Sequence, residues 1–383
     1  MDGRSNALAS LMLRNTIYNS MTTKPKQEEE KPARKAVKTI DAVRGMKDIL
    51  PDEQIYWEYF RRKAREIAEA YSFGRIDTPI LEDVKLFERT VGKMTDVVEK
   101  EMYTFDDKGG QAVALRPEAT ASVVRAYINH GMLNLPQPVK LWYLGPMYRY
   151  GRPQSGRQRE FYQFGLEVIG GADAVSDAQL ILIAVKLYED LGVKVKVEIN
   201  SIGTPETRQE YKVELVVFAR KHRKALCEDC QRRLSKSPLR LLDCKEEGCR
   251  VVMKEAPQIV DWLDEASKEH FMQLIEYLDE LSLPYELNPH LVRGLDYYTR
   301  TVFEIVPDRG DGAELGAQSS LGAGGRYDGL VELMGGREET PAVGFAVGIE
   351  RAILEMKRQE IEPPVLPSPQ IFFAQIGAEA RRI

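Results

Sequence analysis

Two stretches that alternate aromatic and polar residues, VKLWYLGPMYRY at 139–150 and REFYQFGLEVIG at 159–170, constrain this chain more than any other part of it. Period-two alternation belongs to strands with one buried face, and RPQSGRQ between them is turn-forming, so the pair reads as an antiparallel hairpin. Arg149, Arg152, Arg157 and Arg159 fall within eleven residues of this hairpin, beside Tyr148, Tyr150, Phe161 and Tyr162. A guanidinium is planar, stays charged when partly desolvated and grips phosphate or carboxylate through two parallel bonds. A solvated flank or an RNA-facing stripe would use the same residues. On the second strand, however, Arg159, Phe161, Gln163, Gly165 and Glu167 share one side, and a face of that polarity is costly to bury unless it meets a ligand or itself. The pattern favours the floor of a pocket.

Around the hairpin the chain mixes helices and strands. Apolar spacing from Gln54 to Tyr71 predicts a helix closed by Gly74, followed by a strand-like IDTPIL. Glu118–His130 and 173–192 read as helices, the second amphipathic, and VKVKVEIN and TRTVFEIV as strands. A glycine-rich turn is expected at Gly322–Gly325, then a strand and helix in VGFAVGIERAILEM. The segment 205–287 is charged, largely helical and reads as an insertion between two halves of a core, 41–204 and 288–361. The fold class is therefore α+β, an antiparallel sheet with helices. Residues 1–40 lack the apolar surface to offset ordering entropy and read as a disordered leader, with Met21 as a second candidate start and a transit peptide as a minor alternative. EPPVLPSP at 362–369 reads as a linker, and IFFAQIG behind it as a strand that cannot fold alone, so the chain is expected to stop inside a further domain.

Charge and cysteine usage limit the function classes. A net charge of −5 over 383 residues gives no global basic footprint, so any nucleic-acid contact must be local. No apolar run approaches the roughly 20 residues that span a bilayer, and the expected location is cytoplasmic. All four cysteines lie between Cys227 and Cys249, which is unlike a disulfide framework. Their spacing, two residues between the first pair and four between the second, suits a structural zinc at Cys227, Cys230, Cys244 and Cys249 with no catalytic role. In LRPEATA, Arg116, Glu118 and Thr120 stand at a strand-to-helix turn, where they could cap the helix or bind a substrate ammonium group.

Taken in order, LRPEATA, WYLGPMYRYGRPQSGRQREFYQFGLEVIG, LVRGLDYYTRTVFE, GAGGRYDGLV and AVGFAVGIERAI resemble histidyl-tRNA synthetases, members of the class II aminoacyl-tRNA synthetases, from about Arg44 to the end of the chain. The resemblance implies a six-stranded antiparallel sheet, a homodimer formed through the motif containing Pro79, and ATP-dependent activation of L-histidine followed by transfer to tRNA(His). It implies ATP and Mg2+ as partners of the reaction. Histidine would be held by Glu118, Ala119, Thr120, Gln163, Glu167, Arg293, Tyr297 and Tyr298, with Glu167 and Tyr298 reading the imidazole. ATP would be held by Arg149, Arg157, Arg159 and Arg351, and Arg149, Arg293 and Arg351 would carry the catalytic charge. A salt bridge to Asp296 or another acid is the structural alternative for Arg293. If the full-length protein continues past Ile383, the resemblance implies an anticodon-binding domain of α/β type beginning near residue 368. The rival class is a histidine-sensing, synthetase-like regulatory subunit of ATP phosphoribosyltransferase, which charges no tRNA; a plain RNA-binding module ranks last because it needs no histidine pocket.

Overall fold

A computed structural model describes residues 39–92, 95–310 and 320–364, and from Ala42 onward these form one compact unit. The expected leader up to residue 38 and the IFFAQIG strand lie outside the described residues. The hairpin forms as expected: β5 (Val139–Tyr148) pairs antiparallel with β6 (Glu160–Ile169) along its full length. It belongs to an eight-stranded sheet ordered β1-β5-β6-β11-β10-β9-β7-β8. Here β1 is Gly74–Arg75, β7 Val195–Ser201, β8 Tyr285–Leu287, β9 Thr299–Pro307, β10 Gly322–Arg326 and β11 Ala342–Gly348. The six central strands are antiparallel throughout. A short parallel strand is added at each edge, β1 on β5 and β8 on β7, which enlarges the expected six-stranded sheet. A separate three-stranded sheet contains β2 (Leu81–Asp83), β3 (Tyr103–Asp106) and β4 (Ala112–Leu115).

Alternation divides the large sheet into two faces. Trp142, Phe164, Leu166, Phe303, Ile305 and Phe345 pack beneath a layer of four helices, α1 (Gln54–Ala70), α4 (Ala174–Asp190), α8 (Glu265–Glu280) and α10 (Ile349–Arg358). Each large apolar side chain buried in this layer contributes roughly 1.5–3 kcal/mol. The opposite face carries Tyr143, Gly165, Glu167 and Val302 against α3 (Thr120–Asn129) and the loop 291–298, and it holds the site. Other helices are α2 (Val84–Phe87), α5 (Pro205–Lys221), α6 (Glu228–Lys236), α7 (Glu247–Met253) and α9 (Leu330–Leu333). The segment 205–287 is shared between the two faces: α5 to α7 pack on the site face, whereas Phe271, Leu274 and Leu278 of α8 join α1 and α4.

Four local expectations change. The first helix is closed by Ser72 at φ 62° rather than by Gly74, with Phe73 N donating to Ala68 O at 2.9 Å in a Schellman-type end. IDTPIL is mostly irregular, and only Leu81 enters a strand. Helix α4 is buried around most of its surface, because it lies between α1, α8 and the sheet. The largest change concerns Gly322–Gly325, which forms a central strand, β10, instead of a turn. Its glycines serve close packing: a Cβ on Gly324 would lie 2.4 Å from the Phe303 ring and 2.5 Å from Gly344 O.

Candidate active site

A cavity of about 580 Å³ opens on the site face of β5, β6, β11 and β10. Strand register decides what lies at its base. Glu167 on β6 stands opposite Gly344 on β11, where a Cβ would fall 1.8 Å from Glu167 Oε2, so only glycine leaves space for the carboxylate. Likewise Tyr143 on β5 stands opposite Gly165, and its ring occupies the volume a Cβ there would need, at 2.3 Å.

Glu167 is 1% exposed and is reached through cavity residues: Thr120 Oγ1 donates to its Oε1 at 2.7 Å and the Tyr327 hydroxyl to its Oε2 at 2.6 Å. Burial pushes its carboxyl up to about 8, with the charge of Glu118 adding to the rise and the two hydroxyl bonds offsetting part of it. With an ordinary value of 4.5 in the unfolded chain, the folded state binds more protons between pH 4.5 and 8, so Glu167 lowers stability progressively as pH rises through that window. Glu167→Gln should flatten this part of the pH dependence, read as urea midpoints at pH 5 and pH 8. A wild-type minus variant difference that stays constant across the window would refute it.

Glu118 caps α3: its Oε2 accepts from Thr120 N at 2.7 Å and its Oε1 from Ala121 N at 3.0 Å. The structural alternative is thus realised, yet the same buried carboxylate lines the cavity and each oxygen keeps a lone pair for a further donor. Ala119 is buried and does not line the cavity. Gln163 lines it with Oε1 buried and unpartnered. Arg293 Nε is also buried and unpartnered; its guanidinium lies 5.5 Å from the Tyr298 ring, and the cations acting on Asp296 are Lys212, Arg208 and Arg240 rather than Arg293. Tyr297 and Tyr298 complete this wall, their ring centroids 4.7 Å apart.

Three of the four arginines expected to hold phosphate meet on the adjoining wall. Arg149 donates from Nε to Pro117 O at 2.8 Å and lies over Phe161; Arg351 donates to Gly156 O at 2.9 Å and Ser320 O at 2.8 Å; Arg157 pairs with Glu101. Burial lowers the pKa of both Arg149 and Arg351, and for Arg351 the neighbouring Arg149 and Arg157 lower it further. The three guanidiniums share a partly desolvated space in which Glu101, Glu118 and Glu304 offset part of their mutual repulsion, and a bound polyanion would offset more of it. Arg159 is placed elsewhere: it stacks 3.7 Å above the Tyr150 ring, donates to Gly151 O and does not line the cavity. Arg152 is exposed.

Tyr143, Glu304, Arg233 and Arg240 line the cavity without having been singled out, and Tyr327 gains a direct bond to Glu167. Tyr143 was accessible to reasoning, since β5 alternation sets it across from a glycine on the pocket side. Arg233 and Arg240 were not, because they come from a segment with no periodic link to the sheet. The four cysteine sulfurs converge away from this cavity, within 4.8 Å of one another.

An antiparallel six-stranded core with an arginine-lined cavity on one face defines the catalytic domain of a class II aminoacyl-tRNA synthetase. A family model described as histidyl-tRNA synthetase matches residues 45–352. A histidine–tRNA ligase of Dehalococcoides mccartyi is 52% identical over 338 residues, covering 88% of this chain and 79% of its own length. That of Halothermothrix orenii is 48% identical over 344 residues, covering 90% and 81%. The apo histidyl-tRNA synthetase of S. aureus superposes with a TM-score of 0.67 at 40% identity, covering 85% of this chain and 75% of that one. The chain belongs to the histidyl-tRNA synthetase family.

Proposed function

We propose that the chain activates L-histidine with ATP and transfers it to tRNA(His). One observation supports this reading above the others: Arg149, Arg157 and Arg351 converge beside a polar pocket whose Gln163 Oε1 and Arg293 Nε are buried without partners. In the first step the histidine carboxylate attacks the α-phosphorus of ATP in line, and the bond to the β-phosphate bridge breaks, giving histidyl-adenylate and pyrophosphate. In the second, a terminal ribose hydroxyl of the tRNA attacks the aminoacyl carbonyl, loses its proton and displaces AMP.

Glu118, Thr120 and Gln163 would hold the amino and carboxylate groups of histidine. Its imidazole needs one acceptor and one donor, which Glu167 and Tyr298 can supply, with Tyr327 and Thr120 orienting the carboxylate. An apolar competitor would leave these groups unpaired, a discrimination on the order of 10⁴. Arg149 and Arg293 would face the α-phosphate and Arg351 and Arg157 the outer phosphates, stabilising charge through fixed positions rather than covalent chemistry. Glu304 and Glu350 line the same cavity and present the hard oxygen donors that suit Mg2+, which when bound neutralises phosphate charge. We further infer a homodimer in the cytoplasm. Ile80, Leu81 and Phe105 are 40–48% exposed beside Pro79, an apolar surface that a second copy would cover, and sedimentation velocity should give twice the chain mass.

Histidine-dependent exchange of pyrophosphate into ATP tests the reading. Robust exchange is expected. A folded protein that binds histidine, catalyses no exchange and activates ATP phosphoribosyltransferase would instead favour the regulatory-subunit alternative.

A further inference from the structure

Cys227, Cys230, Cys244 and Cys249 have no part in the adenylation chemistry, yet all four Sγ atoms lie within 4.8 Å of one another. They arrive from three separate pieces of chain. Cys227 and Cys230 flank the first turn of α6, Cys244 follows a 3-10 turn at Pro238–Leu241, and Cys249 sits in α7. The Cys227 and Cys244 sulfurs are 3.9 Å apart. That is far longer than a disulfide of about 2.05 Å. It matches the edge of roughly 3.8 Å that a regular tetrahedron has when its metal–sulfur bonds are about 2.3 Å.

Two further features distinguish the cluster from thiols that merely fill a core. Backbone N–H groups are aimed at sulfur, Cys227 N at Cys249 Sγ (3.1 Å) and Cys230 N at Cys227 Sγ (3.5 Å), where they would bond to metal-bound sulfur. The two helices that carry the cluster also have few apolar anchors of their own, while Leu226, Leu241, Leu242 and Ile259 hold the chain on either side of them. Helix α6 buries only Cys230 and Leu234, and α7 only Cys249 and Met253, so half of what these two short helices bury is sulfur at the cluster. A metal bound there would fix the two helices to each other, which so few apolar contacts of their own cannot do as firmly.

We propose that the four cysteines bind one zinc ion as a closed tetrathiolate, and that this ion holds the segment 227–254 so that Arg233, Arg240, Asp243 and Lys245 form a wall of the active-site cavity. Binding releases four thiol protons to solvent, and the three buried sulfurs with one half-buried leave no open coordination position. The link to the cavity runs through charge. Asp96 lies 3.5 Å from Arg233 and 4.0 Å from Arg240, and Lys236 lies 3.5 Å from Glu99. Asp96 and Glu99 belong to the turn that leads to Glu101, the partner of the phosphate-facing Arg157. Calling that cavity the adenylation site rests on the function proposed above; the metal site itself does not.

The experiment uses the whole protein, expressed with zinc in the medium. Elemental analysis should give one zinc per chain, and X-ray absorption four sulfur ligands at about 2.3 Å. Protein without bound metal, whose four thiols react freely with a thiol reagent, would overturn the site, as would iron in place of zinc. Mercurial displacement followed by chelation should then increase hydrogen exchange at least tenfold in peptides from 226–256 and, through the Asp96 contacts, in 96–101, while β6 and β11 stay protected. Unchanged exchange at 96–101 after metal loss would overturn the coupling to the cavity. Cys249→Ser, assayed in the same way, should lose the metal with the same pattern of exposure. Failure of pyrophosphate exchange by zinc-loaded, folded protein would count against the proposed reaction alone.

Discussion

Arg293→Met should reduce the maximal rate of histidine-dependent pyrophosphate exchange by about 10²–10³-fold, the usual cost of removing one fixed donor from developing transition-state charge. Methionine keeps the length and apolar stem of the side chain but removes every N–H. The wild-type Nε is already buried without a partner, and Asp296 is faced by Lys212, Arg208 and Arg240 rather than by Arg293, so the free protein should lose little stability. The effect should therefore fall on kcat more than on the thermal midpoint or on KM for ATP. Arg293→Lys should restore little, because a point charge cannot reproduce a planar fork held against Tyr298. Exchange at the wild-type rate in the methionine variant would remove Arg293 from the reaction.

Asp177→Ala is the substitution expected to damage stability most. Asp177 on α4 is fully buried and accepts from Arg326 Nε (3.2 Å) and Nη2 (2.8 Å), while His270 Nε2 on α8 lies 3.0 Å from its Oδ2. Arg326 on β10 is itself 0% exposed and also reaches Gly171 O at 2.9 Å and Asp328 at 3.0 Å. This node joins two helices of the packed layer to the strand that leads into Tyr327. Deleting the aspartate leaves a buried guanidinium short of a counter-charge, at a cost of roughly 3–5 kcal/mol. Urea or thermal unfolding should register a loss of that size. Asp177→Asn, which keeps the shape, should lose somewhat less, and a change below about 1 kcal/mol would show that the node carries little. Burial opposes the charge of Asp177, but Arg326 and His270 outweigh it and hold the carboxyl below its ordinary value of 3.8. The contribution is therefore present above that pH and is lost as pH falls through the lowered native value.

Much of the site was legible because strand alternation is a local rule. Gln163 on β6 lines the cavity, and Glu167 on the same side bonds to the lining residues Thr120 and Tyr327, as a period of two requires. The same rule misplaced Arg159: it lies ahead of the regular strand, where pairing with Gly45 O and stacking on Tyr150 set its direction instead. Glycine misled at 322–325 for a related reason. Its freedom suits a turn and its lack of a Cβ suits a crowded strand, and only the neighbours Phe303, Phe345 and Tyr298 decide between them.

By itself the sequence determined the α+β class, the hairpin and the residue types of a pocket for a polyanion and a small polar ligand, since periodicity and side-chain chemistry are carried by consecutive residues. Tertiary structure alone decided which residues of distant segments meet. It brought Glu304, Tyr327 and the 233–245 segment to the cavity and joined Asp177, His270 and Arg326 in a buried node. Such meetings depend on strand order, register and helix packing, which follow from burying both faces of the sheet at once, and no local pattern in the chain encodes them.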